Sequence, residues 1–175
     1  MATLVSDPLA VASVVARQEE SLIALLDQCY GQPPWNESES DNMREAQLIL
    51  ERIFQPGVVT AILVGGTNRL EGIGLGWYAH IFLEDLRSVS NAGFSLKPPI
   101  FELHQLAVLP SAQGKGLGQA LHDAVMREIG CPSLLLTHPE AEAALALYNR
   151  NGWTGVGHIG FGKRHPRVIL LREAS

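Results

Sequence analysis

The residues most suited to chemistry lie between Leu103 and Gly118, where Leu-His-Gln-Leu-Ala-Val-Leu-Pro-Ser-Ala-Gln-Gly-Lys-Gly-Leu-Gly carries an extended apolar run through glycines into helical spacing. At such a junction the first amides of the helix have no intrahelical partner and converge on whatever sits in front of them. Glycine lets that guest approach the backbone. Phosphate is the natural guest of a helix start; the alternative is a tight strand-to-helix corner that binds nothing. Two phosphate motifs fail on spacing. A nucleotide triphosphate loop requires Gly-Lys-Ser/Thr, and Lys115 is followed by Gly116; a dinucleotide fingerprint requires Gly or Ala where Leu121 stands. Cys29 and Cys131 are far apart, and His80, His138, His158 and His165 show no ligand spacing, so neither a metal nor a disulfide framework is expected.

The surrounding elements follow from periodicity. Apolar residues from Ser6 to Leu26 recur at helical spacing, as one amphipathic helix or a pair, and stop before Gly31. Gly31-Gln32-Pro33-Pro34-Trp35-Asn36 cannot continue a helix and is a loop carrying an aromatic. Ser38 or Ser40 can cap a second helix that Gln55-Pro56-Gly57 ends. Val58 to Val64 and Leu70 to Ile81 flank the turn residues Gly65-Gly66-Thr67-Asn68 and predict a β-hairpin. Glu84 to Pro99 is an excursion longer than usual connections. A strand over Ile100 to Leu109 follows, then a helix over Gly116 to Ile129 and a short strand over Ser133 to Thr137. An alanine-rich helix over Pro139 to Asn149, opened by its proline, and strands at Gly155 to Gly160 and Arg167 to Leu171 close the chain. This order predicts a mixed α/β sheet without internal repeats.

Composition limits the function. The chain has 175 residues and 46% hydrophobic content, which suits one compact domain over residues 1–175. Its net charge of -5, without a run of basic residues, removes the footprint of nucleic-acid binding. No stretch reaches the ~20 apolar residues of a membrane span, and Met1 to Ala16 has no basic residue before a continuous apolar core. A cytoplasmic protein without nucleic-acid or membrane partners is expected.

Gln113-Gly114-Lys115-Gly116-Leu117-Gly118, following Leu106-Ala107-Val108-Leu109-Pro110, resembles the acetyl-CoA pyrophosphate motif Gln/Arg-x-x-Gly-x-Gly/Ala of the GNAT superfamily of N-acetyltransferases. About thirty residues on, Ala144-Leu145-Ala146-Leu147-Tyr148-Asn149-Arg150-Asn151-Gly152-Trp153 is similar to that family's Ala-x-x-Leu-Tyr-x-x-x-Gly-Phe helix. The resemblance implies a central, mostly antiparallel sheet of six to seven strands flanked by about four helices, with an acetyl-CoA cleft where strands 4 and 5 splay. It implies acetyl-CoA as co-substrate, no metal, and an amine-bearing small molecule or peptide as acceptor. A non-catalytic acyl-CoA-binding or interaction module on the same fold is the alternative. The asparagine often found seven residues before the helix tyrosine is here Ala141.

Acyl transfer from a thioester to an amine needs a bound polyanion, a neutral amine, a polarised carbonyl and a proton for the departing sulfur. By resemblance, backbone amides of Gln113, Gly114, Lys115, Gly116, Leu117 and Gly118 hold the pyrophosphate, Lys115 adds positive charge, and main-chain groups along Leu106, Ala107 and Val108 pair with the pantetheine arm. Only ~0.1% of an alkyl ammonium is neutral near neutral pH, so a base is required. Glu102 matches the position of a glutamate base in some histone-acetylating members, and strand alternation puts His104 on its face as a second base or water relay. Tyr148 can return a proton to the sulfur, or pack a helix end. Tyr30, Trp35 and Asn36 frame an acceptor pocket or pack locally. Val168-Ile169-Leu170-Leu171 either pairs between copies in a homodimer or belongs to the core.

Overall fold

A computed structural model of the chain describes residues 2–79, 98–160 and 166–174. Its strands are β1 (Thr3–Val5), β2 (Val58–Val64), β3 (Leu70–Ala79), β4 (Ile100–Val108), β5 (Ser133–Thr137), β6 (Thr154–Gly160) and β7 (Pro166–Arg172). Its helices are α1 (Pro8–Val15), α2 (Glu19–Tyr30), α3 (Glu39–Arg52), α4 (Leu117–Met126) and α5 (Glu142–Arg150), with a 3-10 turn at Pro110–Ala112. The seven strands hydrogen-bond in the order β1-β2-β3-β4-β5-β7-β6, with β4 and β5 parallel and the pairs β1/β2, β5/β7 and β6/β7 antiparallel. This is the mixed α/β sheet expected, with five α-helices among the described residues where about four were expected. The excursion placed at Glu84 to Pro99 lies, up to residue 97, outside the described residues, as do His80 and His165.

Contacts divide the chain into two compact units, Met1–Gly76 with Gln105–Glu128 and Trp77–His104 with Ile129–Ser175. In the first unit the apolar stretch after Ser6 forms a helix pair. Asp7 caps α1 by accepting from the Ala10 amide at 2.8 Å, and Pro8 supplies the fixed φ of a first helical turn. The pair breaks at Gln18, whose φ of -130° and ψ of 37° are not helical. Ser38, rather than Ser40, caps α3 through a capping box with Asp41. Strand β1 was not expected, because three residues are too short for alternation to register; they pair with Ile62 to Val64.

Two glycines of β3 let α4 lie close on this unit. A Cβ at Gly72 would stand 2.8 Å from the Ala107 carbonyl oxygen and 3.0 Å from Leu121, and one at Gly74 would stand 3.1 Å from Val125. Leu121 and Val125 are buried α4 residues at helical spacing, so the missing side chains of Gly72 and Gly74 set how near that helix comes. In the second unit Ile100, Leu134, Ile159 and Ile169 form a buried cluster against which Leu136 and Leu171 pack. Ile169 and Leu170 of the closing strand are core residues there. The last helix begins later than expected. Ala141 donates its amide to the His138 carbonyl at 3.1 Å and has φ -80° and ψ 69°, so Pro139 lies in a turn and α5 starts at Glu142.

Candidate active site

In the first unit, β4 ends at Val108, the 3-10 turn follows, and Gln113 runs extended into two residues of left-handed backbone, Gly114 at φ 74° and Gly116 at φ 77°. A side chain in that conformation is strained, which is why glycine stands at both. Gly116 is the N-cap of α4 and provides no side-chain cap, so the first-turn amides of Leu117 and its neighbours keep their donors for something else. A Cβ built on Gly114 or Gly116 would meet nothing within 4 Å. The loop therefore presents bare backbone to open space at the positive end of a helix, the geometry a pyrophosphate requires. Its side chains tie inward: Gln113 Nε2 donates to the Val108 carbonyl at 2.9 Å and Lys115 Nζ to the Ser111 carbonyl at 3.0 Å. The Lys115 charge thus stands on the loop's own carbonyl.

The same unit places Tyr30 and Trp35 together, with ring centroids 5.1 Å apart and planes at 88°. The Tyr30 hydroxyl donates to the Leu106 carbonyl at 3.2 Å, and the Cys29 thiol to the Val108 carbonyl at 3.4 Å. Both main-chain oxygens expected to meet a pantetheine arm therefore already accept protein donors. Burial pushes the Cys29 thiol up to about 12, making it a hydrogen-bond donor and a poor nucleophile. Asn36 is exposed, at φ 48°, and turns its amide to the Pro34 carbonyl at 3.4 Å.

The second unit holds the titratable candidates. His104 Nδ1 and Glu102 Oε1 are 3.0 Å apart, with side chains 21% and 13% exposed, so they form one half-buried pair rather than two independent groups. Trp77 of β3 lies over His104, with centroids 4.1 Å apart and planes at 33°. Sequence reasoning missed Trp77; its place near the end of a strand carries no signal of which ring it meets. Tyr148 lies in α5 with only 7% of its surface exposed, edge-on to Trp153 at 6.0 Å. Its phenol is held above the ordinary tyrosine range by burial. The Tyr148 carbonyl accepts the amides of Asn151 at 2.9 Å and Trp153 at 3.1 Å, and Gly152 at φ 79° turns the chain out of the helix. Buried His138 accepts the Glu140 amide at 3.1 Å, a structural role. Among the described residues no group of three His, Cys, Asp or Glu side chains is placed to hold a metal, and no helix is long and apolar enough to cross a membrane.

Comparison with known proteins agrees with these parts. No curated protein sequence matches the chain. Residues 72–155, which include the glycine loop, the Glu102–His104 pair and α5, match the acetyltransferase (GNAT) domain family. Among solved structures, the fold is similar to a histone acetyltransferase HPA2 and related acetyltransferase from Corynebacterium glutamicum, at 18% identity and a TM-score of 0.68 over 99% of this chain and 97% of that one. It is also similar to the PaiA N-acetyltransferase of Thermoplasma acidophilum, solved with coenzyme A, at 14% identity and a TM-score of 0.65 over 99% of both chains. A third is the ribosomal-protein-S18-alanine N-acetyltransferase of Escherichia coli, at 15% identity and a TM-score of 0.60 over 100% of this chain and 95% of that one. With the glycine loop open ahead of an uncapped helix and the family match spanning the strand, loop and tyrosine helix, residues 72–155 form a GNAT acetyltransferase domain, of a family of enzymes that acetylate with acetyl-CoA as donor.

Proposed function

We propose that residues 1–175 act as one N-acetyltransferase domain that transfers acetyl directly from acetyl-CoA to a primary amine of a small molecule or peptide. The observation that carries this reading is the pair of left-handed glycines, Gly114 and Gly116, with no atom within 4 Å of where their side chains would stand. The amides from Gln113 to Gly118 would hold the pyrophosphate. When bound, acetyl-CoA supplies an activated acyl thioester. Everything else falls to side chains. The acceptor amine must lose a proton, and the Glu102–His104 pair, hydrogen-bonded at 3.0 Å, is suited to take it directly or through water. One partner orients and charge-stabilises the other, so neither acts alone. Burial makes the Tyr148 phenol a weaker acid than free tyrosine, so full proton release costs more and its contribution is a hydrogen bond to the departing sulfur. Tyr30, Trp35 and Asn36 would border the acceptor.

Both cysteines are free thiols, which fits a reducing compartment, and we place the enzyme in the cytoplasm. The similar Escherichia coli enzyme is a ribosomal-protein-S18-alanine N-acetyltransferase, which supports a peptide amine among the acceptors to be tried. A thermal-shift titration with acetyl-CoA, followed by thiol release across a panel of amines and peptides, tests the proposal. Binding with acceptor-dependent release is expected. Binding without release from any amine would favour an acyl-CoA-binding module, and no binding would overturn the role of Gln113 to Gly118. Sedimentation at assay concentration settles whether the active form is a homodimer.

A further inference from the structure

Tyr30 is attached at its hydroxyl, its ring and its main-chain carbonyl. Its hydroxyl donates to the Leu106 carbonyl of β4 at 3.2 Å, its ring meets the edge-on ring of Trp35 at 5.1 Å, and its own carbonyl accepts the Glu37 amide at 2.9 Å. The Gly31 to Asn36 loop therefore begins and closes on one residue whose far end is fixed to the cofactor strand. Cys29, its neighbour on the last turn of α2, also donates to that strand, at Val108, 3.4 Å away. The geometry points to Tyr30 as a positioning residue that transmits occupancy of β4 to the Trp35 loop through its hydroxyl. This rests on the proposed binding of the pantetheine arm along Leu106 to Val108.

A carbonyl has two lone pairs, so the Leu106 oxygen can accept from Tyr30 and from a ligand amide together. Each donor changes the strength and direction of the other bond. The phenol ring between the oxygen and Trp35 is rigid, with two side-chain torsions, so a shift at its hydroxyl end is carried to its ring contact rather than absorbed. A lysine or methionine in that place would absorb it.

The test uses the full chain labelled with 5-fluorotryptophan and coenzyme A as the probe, read by fluorine NMR, with Trp35→Phe assigning one of three tryptophan resonances. The Trp35 resonance is expected to move on saturation with coenzyme A, and to lose that movement in Tyr30→Phe although coenzyme A still binds. Cys29→Ala, which removes the neighbouring bond to β4, is expected to keep it. A Trp35 resonance that stays still in the unsubstituted protein, or moves equally in Tyr30→Phe, overturns the inference. So does loss of the response in Cys29→Ala, which would assign the coupling to the helix as a whole. Labelling the unsubstituted protein with 3-fluorotyrosine, with assignment through Tyr78→Phe and Tyr148→Phe, reads the same bond without altering Tyr30. There a stationary Tyr30 resonance overturns the inference even if Tyr30→Phe does not fold. Failure of the unsubstituted protein to bind coenzyme A is a different result: it removes the proposed function, and the inference with it.

Discussion

Replacing Gly116 by leucine separates the ligand role of the glycine loop from its structural role. A Cβ at Gly116 meets nothing within 4 Å beyond its chain neighbours, so the side chain leaves the backbone into open space. The free protein does suffer backbone strain, because φ is 77° and a left-handed residue with a side chain costs about 1–2 kcal/mol. For a chain of this size each kcal/mol lowers the melting temperature by about 2–4 °C, so the unliganded variant should melt about 2–8 °C lower and remain folded. Binding should suffer far more. The leucine side chain takes up open space beside the uncapped start of α4, and each charge-assisted hydrogen bond lost there is worth about 1.5–3 kcal/mol, or roughly 10- to 150-fold in affinity. At acetyl-CoA one hundredfold above the wild-type dissociation constant, the unsubstituted protein gains about 2.7 kcal/mol. A variant one hundredfold weaker gains about 0.4 kcal/mol at that concentration by the same relation, a shift near 1 °C. Paired melts with and without acetyl-CoA measure both quantities. A variant stabilised as much as the unsubstituted protein would refute the pyrophosphate assignment, and one that is unfolded without ligand would refute the strain argument.

Four other outcomes follow from the same geometry. Gly72→Ala places a methyl 2.8 Å from the Ala107 carbonyl oxygen, 2.9 Å from Leu63 and 3.0 Å from Leu121 of α4, and overpacking of this kind should cost about 1–3 kcal/mol in a denaturant melt; an unchanged midpoint would show that Gly72 is not closely packed by these neighbours. Tyr148→Phe should lower kcat roughly 10- to 150-fold with acetyl-CoA affinity nearly intact, and an unaltered rate would make Tyr148 a packing residue only. Glu102→Gln should cut kcat/KM at least about tenfold, because it removes one half of the hydrogen-bonded pair, and pH–rate profiles that superimpose with those of the unsubstituted enzyme would count against the pair as the base. The Cys29 thiol, raised from 9.0 to about 12, is neutral in both folded and unfolded chains below pH 9. Its stabilising contribution is therefore complete below pH 9 and lost as pH rises toward 12, an effect on the order of 4 kcal/mol at about 1.4 kcal/mol per pKa unit. Between pH 9 and 12 the urea midpoint of the unsubstituted protein should fall more steeply than that of Cys29→Ala, and parallel curves would contradict it. Slow alkylation of one thiol near pH 8, missing in Cys29→Ala, checks the same burial.

What the sequence determined was local. Glycines at 114 and 116 between an apolar run and a helical period can be read as a bare-backbone corner, since few residues tolerate left-handed φ, and the structure has both there. Ser38 with Asp41, Asp7 before Pro8, and the alternation from Ile100 also act within a few residues, and the corresponding elements formed. Strand alternation even put Glu102 and His104 on one face, where they meet at 3.0 Å. Boundaries shifted where a tertiary or turn bond outweighed propensity, as when the Ala141 amide took the His138 carbonyl and moved the start of α5 past Pro139.

Tertiary structure decided every contact between residues distant in the chain. Nothing near Trp77 announces that its ring lies over His104, and nothing near Tyr30 announces a bond to an oxygen 76 residues away. The Leu106 and Val108 oxygens have no side-chain identity to read, so their occupation by Tyr30, Cys29 and Gln113 is visible only once helix and strand are packed. Burial is likewise a property of the fold. A tyrosine in a helix is an ordinary acid on paper, and burial in the folded protein is what makes Tyr148 a weaker one. Sequence sets backbone preference over a turn or two, whereas polarity, pairing and proton affinity depend on which distant groups exclude water from a side chain.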